Sequence, residues 1–274
     1  MDILFFCPKW GLEDLSYHDF LVKAKYTGFD GVEMLIPTEK GLKQEIRRLL
    51  DQFGLKLIAQ QGEAVTAPLF EEHIILFEKH LRNACELNPL FINSQTGKDY
   101  FSFDENCILI EKAMEIELQT GVPIIHEIHR GKFTFAPVLM GAYMDKFPQI
   151  RFGFDISHWL TVSESTLQDP TQSAIVDRVI KHSGHIHARI GHEEGPQITD
   201  PRAPEWQYVV DLHKDWWNKI VQHARKNKAE FFTITPEFGP EPYMQRLPFT
   251  QMPVANQREI NVHMKDTLKA FFEN

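Results

Sequence analysis

Short apolar runs alternate along this chain with longer stretches in which apolar residues recur every three or four positions. The short runs cover 3–7, 32–36, 55–60, 91–94, 124–127, 151–155, 185–190 and 231–235, and most end at Gly, Pro or charge. Their β-branched and aromatic content predicts strands. The stretches between them predict helices over 16–27, 40–53, 71–87, 103–120, 137–147, 171–181, 208–226 and 256–272. Ser16 stands where an N-cap belongs, Leu42, Ile46, Leu49 and Leu50 form a stripe, and Gly54 follows the second helix as a stop. Eight strand–helix units predict a parallel sheet closed into a single (βα)8 TIM barrel spanning residues 1–274, with no linker to divide it. Two long loops, 191–207 and 238–255, both follow a strand, on the side where such barrels carry their sites.

Alternation within the strands sorts side chains into helix-facing and barrel-facing sets. In the seventh strand Ile186, Ala188 and Ile190 share one face, so His185, His187 and Arg189 share the interior one. The same logic turns Gly153 and Asp155 inward, pairs Ile125 with Glu127, and groups Thr233 and Thr235 with Glu237. Glu127, Asp155, His187 and Glu237 thus converge at the ends of four successive strands. Three buried carboxylates repel one another and require protons or a cation. Three oxygens and one imidazole suit one divalent metal ion, Mn²⁺, Mg²⁺ or Co²⁺, with Zn²⁺ also acceptable. Such an ion would bind adjacent hydroxyl and carbonyl oxygens of a substrate, and Glu127 and Glu237 would act as catalytic acid and base toward the acidified C–H.

Four further residues are candidates for substrate binding, each with a plainer alternative. His158 contacts substrate or hydrogen-bonds Asp155. His185 contacts substrate or backs the site. Arg189 binds a hydroxyl or phosphate, or neutralises the acids. Glu33, near the end of the second strand, touches substrate or pairs with a lysine. Lys9 and Trp10 wall a pocket or, more simply, pack a loop.

Composition narrows the partners. A net charge of −9 supplies no basic surface for nucleic acid. No apolar run is long enough to span a membrane, and the N-terminal run is too short for a signal peptide. Cys7, Cys85 and Cys107 are odd in number and scattered, which predicts no disulfide framework and suits the cytoplasm. Trp206, Trp216 and Trp217 suggest either a homo-oligomer interface or core packing.

Lys23–Met34, KAKYTGFDGVEM, the His126-Glu127 pair, the Asp155…His158 spacing, the run Gly184-His185-Ile186-His187 and the late Glu237 together resemble the xylose-isomerase-like TIM-barrel superfamily, the sugar (phosphate) isomerase/epimerase group. The resemblance covers nearly the whole chain. It implies that Glu127, Asp155, His187 and Glu237 are metal ligands, that the two glutamates are the acid/base pair of the 3-epimerase branch, and that His158 and Arg189 meet substrate oxygens. The expectation is a metal-dependent isomerase or epimerase of a small sugar, sugar phosphate or hydroxy-ketone. The alternative is a metal-dependent lyase, a dehydratase, acting on a cyclic polyol. The two share proton abstraction and differ in the loss of water.

Overall fold

The computed structural model describes residues 1–273. Eight strands, β1 (Asp2–Pro8), β2 (Gly31–Leu35), β3 (Lys56–Gln61), β4 (Ile92–Ser94), β5 (Ile124–Glu127), β6 (Phe152–Phe154), β7 (Ser183–His187) and β8 (Phe231–Thr235), pair in sequence order and all parallel. β8 returns to β1 through Asp2↔Phe231 to Phe5↔Ile234, so the sheet is a closed barrel. Around it lie α1 (Tyr17–Tyr26), α2 (Lys40–Phe53), α3 (Phe70–Cys85), α4 (Phe103–Thr120), α5 (Pro137–Lys146), α6 (Ser157–Ser163), α7 (Pro170–Lys181), α8 (Gln207–Lys226) and α9 (Gln257–Glu273).

The expected (βα)8 barrel is therefore present, and local chemistry sets its helix ends. Ser16 accepts from the Asp19 amide at the start of α1. Ser102 and Glu105 close a capping box on α4. Gly54, at φ 63, ends α2 in the left-handed conformation that costs glycine no Cβ clash.

Three details depart from expectation. The seventh strand stops at His187, so Arg189 lies in the loop beyond it. The sixth stops at Phe154, and Asp155 leads into α6, a short helix the periodicity did not reveal because seven residues are two turns. The buried face of α2 includes Lys43 rather than Leu42, because the ammonium reaches Asn83 Oδ1 at 3.0 Å and the Glu86 carboxylate while its stem packs inward. Of the two readings of the tryptophans, core packing holds for Trp216 and Trp217, while Trp206 is half-buried and donates to Thr199 Oγ1.

Two apolar layers result. The larger joins the outer strand faces to the helices. The smaller fills the barrel itself: Phe6, Ile58, Phe91 and Ile125, with Leu4 and Leu90 against them. Inward-facing residues nearer the strands' C-terminal ends are polar, so the plug forms the floor beneath them. Glycines make this crowding possible. A Cβ on Gly153 would sit 2.4 Å from Asn93 Oδ1, and one on Gly31 would strike the Phe6 ring.

Gly153→Ala should therefore destabilise the fold by about 1–3 kcal/mol through overpacking. The urea midpoint should fall while the slope stays unchanged; an unaltered midpoint would show that Asn93 can move aside freely.

Candidate metal centre

Alternation delivers most of the predicted residues to one place. Glu127 ends β5, His187 ends β7, Asp155 follows β6, and Glu237 lies two residues beyond β8. One candidate ligand atom from each lies within 4.8 Å of the others. All four side chains are buried.

The arrangement around His187 shows whether a cation fits. Nδ1 stands 2.9 Å from Glu237 Oε2 and 3.8 Å from Glu127 Oε1, yet it makes no aligned hydrogen bond. Ligand atoms about 2.1 Å from one ion and at right angles to each other sit about 3 Å apart. An orphaned, buried imidazole nitrogen facing carboxylates at that spacing fits a metal ligand. On the opposite edge of the ring, Nε2 is 2.8 Å from Glu33 Oε1. In the neutral ring, a carboxylate accepting from that N–H leaves Nδ1 unprotonated and aimed at the cluster, where it can hold either a proton or a metal ion.

Glu33 is thus a backing residue. It is fully buried, its carboxylate pairs with His185 and His187 rather than with a lysine, and it does not line the cavity. Its second oxygen lies 3.2 Å from His185 Nε2 and accepts from Thr235 Oγ1. His185 is equally enclosed, with Nδ1 2.8 Å from Thr233 Oγ1 and its ring against Phe91. His158 is also fully buried, 3.6 Å from Asp155 Oδ2, with its ring centre 4.0 Å from that of His129 and tilted 46° to it. Of the four residues expected at the substrate, only Arg189 reaches the cavity wall. Its Nη2 donates to Asp155 and lies 3.5 Å from Glu237 Oε2, while its Nη1 is buried without a partner.

Two other acid–histidine groupings are equally close-knit. In Glu33, His185 and His187 the acid already pairs with both rings. In Glu127, His129 and His158 the Arg189 guanidinium, 3.0 Å from His158 Nε2, opposes a cation.

Several site residues escaped sequence reasoning. The Asn93 amide nitrogen bridges Glu33 Oε1 at 3.1 Å and Glu127 Oε2 at 3.2 Å. Gln95 Nε2 lies 3.4 Å from both Glu127 oxygens, and Gln60 Nε2 lies 3.3 Å from Glu237 Oε1. Asn93 and Gln60 follow the same inward alternation as the acids, but an amide carries no charge to draw attention. Lys9 and Trp10 line the cavity, as do His129 and Tyr243. Tyr243 sits in a loop, where no periodicity marks it.

The electrostatics without a metal are those of an overfilled acid site. Burial, with Glu237 and Asp155 nearby, pushes Glu127 up to about 8 despite His187 and Arg189. Burial raises Asp155 as well. Burial alone would lower His187, but Glu237, Glu33 and Glu127 hold it well above its ordinary value. Protons on Glu127 and His187 thus supply the charge a divalent ion would supply in their place.

Neither a family model nor a curated protein sequence matches this chain. Solved structures do match. A probable 3-DHS dehydratase from Bacillus anthracis aligns at TM-score 0.62 and 16% identity, over 98% of this chain and 99% of its own. A xylose isomerase-like TIM barrel protein from Mycobacterium smegmatis, in complex with magnesium, aligns at 0.62 and 11%, over 97% of each chain. The chain shares the (βα)8 barrel fold of these proteins. A 3-keto-D-glucoside 4-epimerase from E. coli shares it at TM-score 0.61 and 11% identity, over 98% of this chain and 100% of its own.

Two predictions follow the geometry. The metal-free protein should lose stability relative to its Glu127→Gln variant as pH rises from 6.5 to 7.5. Folded Glu127 keeps a proton, to about 8, that the unfolded chain releases near 4.5, so the contribution is complete below 4.5 and lost as pH rises through 8. The buried His126 and His129, pushed down to about 3, and His213, pushed down to about 4, impose the opposite slope while the unfolded imidazoles still hold protons, and the comparison with the variant cancels them. Lys132, lowered to about 8 by burial, is cancelled in the same way. The relative loss across the window should be about 1 kcal/mol by urea titration; a flat or rising difference would contradict the crowded-acid reading. Glu33→Gln should weaken Mn²⁺ binding about 10–100-fold by calorimetry; unchanged affinity would show that Glu33 does not orient His187.

Proposed function

We propose that the protein is a divalent-metal-dependent isomerase or epimerase of a small sugar or hydroxy-ketone, working by proton transfer between carbon and carboxylate. The observation that carries this reading is the pair Glu127 and Glu237. Both line one cavity, both face His187 Nδ1, and each is held by amide donors that leave its carboxylate able to take or give a proton.

Glu127, Asp155, His187 and Glu237 would hold Mn²⁺, Mg²⁺ or Co²⁺, with Zn²⁺ also acceptable to the same donors. When bound, the ion supplies Lewis-acid polarisation of a carbonyl and acidifies the adjacent C–H. The protein's own groups do the rest. One glutamate takes the proton from the carbon beside the carbonyl. The other returns a proton to the opposite face of that carbon, which gives an epimer, or to the former carbonyl carbon while the hydroxyl proton passes between the two oxygens, which gives an isomer. Gln60 and Gln95 hold the two carboxylates in position. Arg189 Nη1 offers a free donor to a substrate oxygen, and the aromatic rings of Trp10 and Tyr243, 5.5 and 4.6 Å from the guanidinium carbon, fix its plane. The apolar plug keeps water from entering beneath the site. The epimerase and the magnesium complex among the proteins of the same fold support this reading.

The test is metal content and isotope exchange. About one equivalent of metal should accompany the wild type and be lost in Asp155→Ala. Turnover in D₂O should place deuterium on a carbon of a product isomeric with its substrate, and Glu237→Gln should slow it at least about 100-fold. A product lighter by one water would favour the dehydratase alternative. Full activity in Glu237→Gln would remove the proton-shuttle assignment.

A further inference from the structure

The cavity that holds the two glutamates has a volume of about 760 Å³. Volumes of this order enclose drug-sized ligands. Around the carboxylates it is lined by Gln60, Gln95, His129 and Arg189. Each of these side chains commits one polar edge to the protein, and that commitment fixes what its other edge can do.

Gln95 turns Nε2 to both Glu127 oxygens at 3.4 Å, and Gln60 turns Nε2 to Glu237 Oε1 at 3.3 Å. A metal-bound carboxylate takes only a donor, so the amides cannot be reversed. Gln60 Oε1 and Gln95 Oε1 are left to the cavity as acceptors. His129 is fixed in the same way. Its Nδ1 is hydrogen-bonded to the Arg130 carbonyl, which can only accept, so Nδ1 carries the proton. Arg189 Nη2 lies 3.0 Å from His158 Nε2, and the His158 ring centre is 4.0 Å from that of His129, so a second positive charge on His129 is disfavoured. His129 Nε2 is then a lone pair, and among the described residues no donor meets it. A ring nitrogen of His129 lies within 4.8 Å of a Glu127 oxygen, so this acceptor stands beside the proposed acid/base group.

The donors are Arg189 Nη1 and Gln61 Nε2, both buried without a partner, and the N–H of Lys9 that the Leu12 and Leu15 carbonyls leave over. A ligand that meets both sets must donate and accept along its length. A hydroxyl does both. An ammonium would satisfy the acceptors but would face the arginine beside them. Leaving a buried acceptor unpaired costs more than one hydrogen bond returns.

We infer that His129 determines specificity: its Nε2 accepts from a hydroxyl of a polyhydroxylated ketose, further along the chain than the hydroxyl beside the carbonyl, and Gln60 and Gln95 accept from others. This rests on the isomerase reading for the carbonyl, and its test reads binding alone.

The test is calorimetry on the Mn²⁺-saturated protein. The probes are dihydroxyacetone, ribulose, xylulose, fructose, tagatose, sorbose and psicose, then the best-bound ketose with fluorine replacing, in turn, each hydroxyl not adjacent to the carbonyl. Fluorine is similar in size and cannot donate. The best ketose should bind at least about tenfold more tightly than dihydroxyacetone, and one fluorinated analogue should lose at least about tenfold. In His129→Phe, and in His129→Leu should the larger ring disturb packing, that analogue should bind within about threefold of its parent. Fluorinated analogues that all match the parent would overturn the inference. So would an unchanged penalty in the His129 variants, or a Mn²⁺ affinity that falls in step with the sugar's. Dihydroxyacetone binding as well as the best ketose, or no binding of any ketose, would do the same. A fluorine penalty without deuterium exchange into any ketose would sink the isomerase assignment alone. Exchange without a fluorine penalty would sink the His129 assignment alone.

Discussion

The barrel is built around a repulsion. Glu127, Asp155 and Glu237 are gathered where water is scarce, with Glu33 just behind them. Like charges this close in a low-dielectric setting cannot all stay ionised without compensation. Arg189 and His187 supply part of it, and protons supply the remainder when no metal does. Most inward-facing features near the strand ends can be understood as ways of holding that acid excess: amide donors on the outer oxygens, a buried arginine, and an imidazole with one nitrogen committed and the other free.

Amides suit this task for a physical reason. Asn93, Gln60 and Gln95 satisfy carboxylate oxygens without adding charge. A lysine in the place of Asn93 would offset one of the acid charges and so weaken the pull of the cluster on a cation. Gly153 belongs to the same arrangement, since only a residue without Cβ leaves Asn93 its central position.

The barrel and the four converging residues were legible because both depend on period-two alternation in strands flanked by amphipathic helices. That rule reached His187, Glu127 and Asp155 without any knowledge of distance. It could not tell depth. Glu33 and His185 point inward as expected, yet they sit behind His187 rather than beside substrate, because depth depends on barrel stagger and not on alternation. Alternation also stops at loops. Tyr243 and Trp10 reach the site through connections whose conformation is set by tertiary contact, such as the Trp10 ring lying where a Cβ on Gly239 would be. α6 was hidden for a third reason: its seven residues are too few for a helical period to show.

Arg189 joins the two kinds of element. Its nitrogens serve the acids at the strand ends, while its guanidinium face lies between Trp10 of the first loop and Tyr243 of the last. Those loops flank the seam where β8 closes on β1. Removing the arginine would therefore unbalance the charge of the site and loosen the two loops together, whereas lysine, a point charge without a planar face, could answer the first need but not the second. The position requires both the charge and the plane, which is why a residue outside any strand is as tightly enclosed as the residues within them.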